Sequence, residues 1–85
     1  MHLEQAIFEL KASVEATSLY ILICSLMDDG RKPSLREARP RWTGSGEALD
    51  AALEELSRLR VLAGGGPSHE EEPIHFNPSH LWRWG

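Results

Sequence analysis

PSLREARPRWTGSGEALDAALEELSRLRVL, residues 33–62, is the stretch whose reading decides the fold. Ser34-Leu35-Arg36-Glu37 has the spacing of a capping box: the Ser34 hydroxyl can accept from the amide of residue 37 while Glu37 reaches back to the amide of Ser34. Pro40 ends that first helix after little more than one turn, because it lacks an amide proton and its ring clashes with the preceding turn. Thr43-Gly44-Ser45-Gly46 is the turn, and Ser45 is the N-cap expected for the next helix. From Glu47 to Arg60, apolar residues recur at Leu49, Ala52, Leu53, Leu56 and Leu59, one stripe at a 3.6-residue period. A helix, a sharp turn and a second helix make a helix-turn-helix.

Upstream, residues 2–29 read as one long helix or as two helices end to end. Leu3, Ile7, Leu10 and Val14 follow a heptad-like seam, continued less hydrophobically through Ile21. From Leu19 to Met27 the helix is apolar on nearly every side, so it needs cover on more than one face. The chain's own ends can supply that cover, or a second copy or another protein can. One continuous helix would be roughly 40 Å long at 1.5 Å per residue, a length that favours assembly. Asp28-Asp29-Gly30 ends it, with Gly30 as the C-terminal cap.

Downstream, Arg60 to Ala63 reads as a strand. Gly64 to Ser68 turn it, and Pro73 to Phe76 return with Ile74 and Phe76 on one side. Asn77-Pro78 ends the return, and Ser79 can cap a last turn before Trp82 and Trp84. Two tryptophans at a terminus mean an end tied onto the first helix, or an anchor for a partner. The expected architecture is mainly α with a small β-hairpin. It is a single winged helix-turn-helix domain over residues 1–85 with a long N-terminal helix at 1–29, the motif at 33–60, the wing at 61–77 and a tail at 78–85.

The motif resembles the DNA-binding half of winged-helix bacterial regulators of the GntR type. The resemblance rests on Pro33-Ser34, Arg36-Glu37, Gly44-Ser45, Ala52-Leu53, Leu56 and Val61-Leu62, which cover about a third of the chain without a gap. It implies a DNA-reading second helix and an apolar core residue at the position of Trp42. In the family, basic residues follow the turn serine and recur one helical turn later; the matching positions here hold Gly46 and Asp50.

Charge sets the partner classes. The chain carries −4 overall, which opposes generic attraction to nucleic acid or anionic membrane. Arg31, Lys32, Arg36, Arg39 and Arg41 nevertheless crowd one segment against Glu37 alone. They are the candidate DNA-binding residues, through backbone phosphates; the bland alternative is a solvated face balancing acidic neighbours. The long helix of the motif exposes Glu47, Asp50 and Glu54, and the wing tip carries Glu70-Glu71-Glu72. Both are poor surfaces for a phosphate backbone.

The remaining chemistry is sparse. A single cysteine, Cys24, excludes an intramolecular disulfide and fits a reducing cytoplasm. It lies in the most apolar section and reads as a buried small hydrophobe. The longest apolar run, Leu19 to Cys24, is too short to span a bilayer, and no secretory signal is visible at the N-terminus. His69, His75 and His80 lack metal-ligand spacing, the glycine-rich loop lacks the lysine of a nucleotide cradle, and no residue is marked as a catalytic acid, base or nucleophile. No metal, cofactor or enzymatic activity is expected. Two functions remain: a regulator binding duplex DNA through residues 31–41, or a protein-interaction module that has lost DNA binding. Candidate interface residues are Leu3, Ile7, Leu10, Val14 and Ile21 on the first helix, for self-association or another protein, and Trp82 and Trp84 in the tail.

Overall fold

A computed structural model describes residues 5–67 and 69–84. In chain order it has α1 (Ala6–Glu9), α2 (Val14–Asp28), α3 (Leu35–Ala38) and α4 (Gly46–Arg58), with 3-10 turns at Arg39–Arg41, Ala63–Gly65 and Ser79–Leu81. Of the two readings of residues 2–29, the single long helix is corrected: two helices form. Lys11 adopts a left-handed φ of 62°, which breaks the helix after Leu10. Ser13 then caps α2, accepting from the Ala16 amide at 3.2 Å. The Ser13 amide donates to Glu55 Oε2 at 2.7 Å and ties the start of α2 to α4. A continuous helix would outrun the molecule, whose longest extent is 31 Å. The break instead folds α1 back, so that Ile7 and Leu10 are buried in the core.

The helix-turn-helix forms for the local reasons its sequence gives. Ser34 accepts from the Glu37 amide at 3.4 Å and Ser45 from the Ala48 amide at 3.1 Å. Pro40 sits in the 3-10 turn that follows α3. The capping box is only half made: the Ser34 amide donates to the Lys32 carbonyl, and the Glu37 carboxylate faces Arg31 and Arg41. Leu49, Ala52 and Leu56 of α4 are buried against α2, with Leu53 and Leu59 partly buried beside them. Gly30, at φ 74°, caps α2, and the Arg31 amide reaches back to the Leu26 carbonyl at 2.8 Å. This is the left-handed helix end that glycine adopts without strain.

The wing is not there. Among the described residues no strand or sheet forms, and the hairpin expected at 61–77 is reduced to one antiparallel bridge between Leu62 and Phe76. Its two flanking bonds run from the Ala63 amide to the His75 carbonyl and from the Asn77 amide to the Val61 carbonyl. Pairing goes no further because the chain takes other partners. Residues 63–65 coil into a 3-10 turn with Gly64 left-handed. The Ile74 amide donates to the Pro33 carbonyl, and the Arg36 amide donates to the Glu70 carbonyl at 2.9 Å. Backbone groups satisfied in this way are unavailable to a ladder. The architecture is a small helical domain, not a winged helix.

The C-terminal tail closes the third side of α2. Trp82 is buried, its ring edge-on to Tyr20 at 5.8 Å, while Tyr20 meets Phe76 at 4.5 Å. The Trp82 indole donates to the Asn77 carbonyl, and the Arg83 amide donates to the Leu59 carbonyl. Trp42, expected in the core, is half-buried at the core's edge. Its indole donates to the Ser45 carbonyl at 3.0 Å and lies over Gly44. A Cβ at Gly44 would come within 2.9 Å of the indole nitrogen. Full burial of a tryptophan makes its loss cost about 3–5 kcal/mol, so Trp42→Ala should cost about 2 kcal/mol in urea unfolding. Gly44→Ala should cost about 1–3 kcal/mol by overpacking. In the Trp42→Ala background that second cost should vanish. Additive losses would show that the indole does not hold the turn.

Candidate functional site

The basic segment and the acidic stretch of residues 70–72 face each other. α3 is barely one turn long, so Arg36 and Arg39 project to the same side, three residues apart. The chain between the two bridge partners, Leu62 and Phe76, brings Glu70 and Glu71 to that side. Arg39 donates to Glu70 twice, from Nε to Oε1 at 2.5 Å and from Nη2 to Oε2 at 3.0 Å, a fork-on-carboxylate pairing. Arg36 pairs with Glu71 through its Nη1. Arg39 also lies 3.6 Å from Asp50 of α4. On the opposite side Glu37 lies between Arg31, at 3.4 Å, and Arg41, at 3.7 Å. The Arg41 guanidinium further donates to the Glu37 carbonyl at 2.6 Å.

Four of the five candidate DNA-binding residues, Arg31, Arg36, Arg39 and Arg41, are thus engaged by carboxylates of the same chain. Lys32 is exposed and enters none of the described ion pairs. The hydrogen bonds that Arg39 donates hold the Glu70 carboxyl below its ordinary range, and the same bonds raise the guanidinium of Arg39. Glu47, Asp50 and Glu54 are exposed along α4. Sequence reasoning placed the glutamates at a wing tip and missed their docking on α3. The only signal was compositional: a run of like charge at 70–72 and its opposite at 31–41.

The interface candidates separate by burial. Ile7, Leu10 and Trp82 are spent on the core, whereas Val14, Ile21 and Trp84 are exposed. Leu3 lies outside the described residues. Val14 and Ile21 stand two helical turns apart on one face of α2, and Phe8 is exposed on α1. Trp84 stacks on Trp82 at 6.0 Å and donates to the Ser79 carbonyl. An open groove of about 740 Å³ lies between the end of α2 and the returning chain, lined by Tyr20, Met27, Pro33, Phe76 and Trp82, with Arg31 and His75 at its edge.

Cys24 is buried, and burial pushes its thiol up to about 11, with Asp28 adding to the rise and a hydrogen bond with Tyr20 opposing it. At neutral pH it is a protonated thiol, not a nucleophile. Among the described residues no three His, Cys, Asp or Glu side chains converge as a metal site. Among the same residues no helix is long and apolar enough to cross a membrane. Comparison of the chain with family models, curated proteins and solved structures finds no match.

The lowered Glu70 carboxyl makes a signed prediction. The folded chain holds this group ionised more firmly than the unfolded chain, so its contribution to stability is present above the ordinary carboxylate range. That contribution is lost as pH falls through the lowered folded value. Urea midpoints of the wild type and Glu70→Gln should differ most near neutral pH and converge in acid. A gap of constant size across that range would mean that Glu70 acts without its charge.

Proposed function

We propose that this chain is a protein-interaction module whose basic segment does not serve as a general grip on nucleic acid. The observation that supports this reading is the pairing of Arg31, Arg36, Arg39 and Arg41 with Glu37, Glu70, Glu71 and Asp50. Binding to duplex DNA gains free energy when cations displace condensed counterions from phosphates. Guanidinium groups already matched to carboxylates bring little net charge to that exchange. The exposed acids of α4 and the overall charge of −4 oppose it further. For a protein partner, α2 offers Val14 and Ile21 on one exposed face and α1 offers Phe8.

A duplex-DNA regulator is the second reading. Its support is the local density of five basic residues, with Lys32 outside the described ion pairs.

Titration of a labelled duplex by fluorescence anisotropy separates the two. No saturable binding at low salt is expected from the folded wild-type chain. Saturable binding would overturn the proposal if log affinity fell with log salt at a slope of about −2.7, the value for three neutralised phosphates. Loss of that binding in Arg36→Glu/Arg39→Glu would then assign it to this segment. For the apolar face, sedimentation should depend on concentration in the micromolar range. Val14→Asp combined with Ile21→Asp should abolish that dependence while helical circular dichroism is retained. A wild-type chain that stays monomeric throughout would remove self-association from the reading.

A further inference from the structure

We infer that the face formed by Arg36 and Arg39 is a docking site for an acidic peptide segment of a partner protein, and that residues 70–71 of this chain are its resident, displaceable occupant. The inference deepens the protein-interaction reading and rests on it. The resident shows what the face accepts. A peptide carbonyl, that of Glu70, takes the main-chain N–H of Arg36 at 2.9 Å. Two adjacent carboxylates take the two guanidinium groups, Glu70 on Arg39 and Glu71 on Arg36. One backbone acceptor followed by neighbouring acids is a pattern that an acidic peptide turn carries, as the resident does with the Glu72 amide donating to the His69 carbonyl at 3.2 Å, and a phosphate backbone does not.

Charge geometry favours the same occupant. Asp50 stands 3.6 Å from Arg39 at the edge of the face, and Glu47 and Glu54 lie on the same exposed helix. A duplex is wide and rigid and would bring further phosphates against those acids. A single peptide turn is narrow enough to lie where the resident lies.

The resident is also built to leave. The side chains of both pairs are well exposed, from 39% to 71%, and exposed ion pairs hold weakly because water and salt compete for each partner. Glu70 and Glu71 lie in a loop bounded by Pro67 and Pro73, while the core is anchored beyond it at Val61, Leu62 and Ile74. Residues 69–71 are themselves exposed and Glu72 half-buried, so lifting them frees both guanidinium groups without drawing a buried side chain of the loop into water.

The test uses the full chain and a fluorescent synthetic peptide, HEEEPI, copied from His69 to Ile74, with a duplex as the second probe. Glu70→Gln/Glu71→Gln weakens the resident and leaves the face intact. It should bind the peptide about tenfold more tightly than the wild type, with affinity falling as salt rises. Adding Arg36→Glu and Arg39→Glu should erase the gain. A double variant that shows native circular dichroism and tryptophan fluorescence but no gain for the peptide would overturn the inference. So would a double variant that prefers the duplex to the peptide, which would make the occupant a nucleic acid. If the double variant does not fold, Glu71→Gln alone should gain about threefold, and no gain there overturns the inference equally. The wild-type duplex titration judges the broader reading by itself, so the two can fail separately.

Discussion

The structure depends on covering α2. Ala16, Leu19, Tyr20, Ile23, Cys24 and Leu26 are all buried, and at about 100° per residue they span roughly 160° of the helix circumference, wider than the stripe one neighbour covers. In a chain of 85 residues the cover has to come from almost everything else. α4 takes one side with Leu49, Ala52 and Leu56. α1 turns back at Lys11 to bring Ile7 and Leu10 to a second. The returning chain and the tail supply Ile74, Phe76 and Trp82 to a third. Burying one large aliphatic side chain is worth about 1.5–3 kcal/mol, enough to outweigh the left-handed conformation at Lys11, which costs about 1–2 kcal/mol in a residue with a Cβ.

That demand also explains where the charges meet. Burial of Ile74 holds the return against α2, and its amide bond to Pro33 sets the return beside the start of α3. Glu70 and Glu71, a few residues before it, then lie along α3, where Arg36 and Arg39 project. The ion pairs follow from a path chosen by apolar burial. A hairpin with full pairing would have carried the glutamates away from α3 and left the guanidinium groups facing water.

Local chemistry was legible in the sequence and path was not. Ser34, Ser45, Pro40 and Gly30 act within a turn of their own position, so their caps and stops could be read directly. The stripe on α4 was legible because its moment is unambiguous. The break at Lys11 was not, since lysine carries no signal for left-handed backbone. Ile7 and Leu10 therefore read as a seam for a partner when they belong to the core. Trp82 and Trp84 look equivalent in sequence, yet one is buried against Tyr20 and the other stacks on it from outside. The hairpin failed as an expectation because alternation at Ile74 and Phe76 specifies a buried face, whereas the hydrogen-bond partners of the same residues were settled by Pro33 and by α3. Of the site, the basic residues were visible and their partners were not: Arg36 and Glu71 are separated by 35 positions, beyond any local pattern.

Separating what holds the fold from what decorates it has a consequence for function. The apolar anchors Leu62, Ile74 and Trp82 fix the path of the last third of the chain whether or not Glu70 and Glu71 are charged. Exposed ion pairs contribute far less than these burials. Their main effect is on which charge the surface presents: matched by carboxylates while the glutamates lie on α3, and more positive once they lift. A small domain can therefore change its surface without changing its core. Asp50 lies 3.6 Å from the same Nη2 of Arg39 that donates to Glu70, so that guanidinium keeps one carboxylate neighbour even when the loop leaves. Arg36 has no second carboxylate among the described ion pairs and gains the larger change in potential. Of the two arginines, Arg36 is the one whose availability the loop controls.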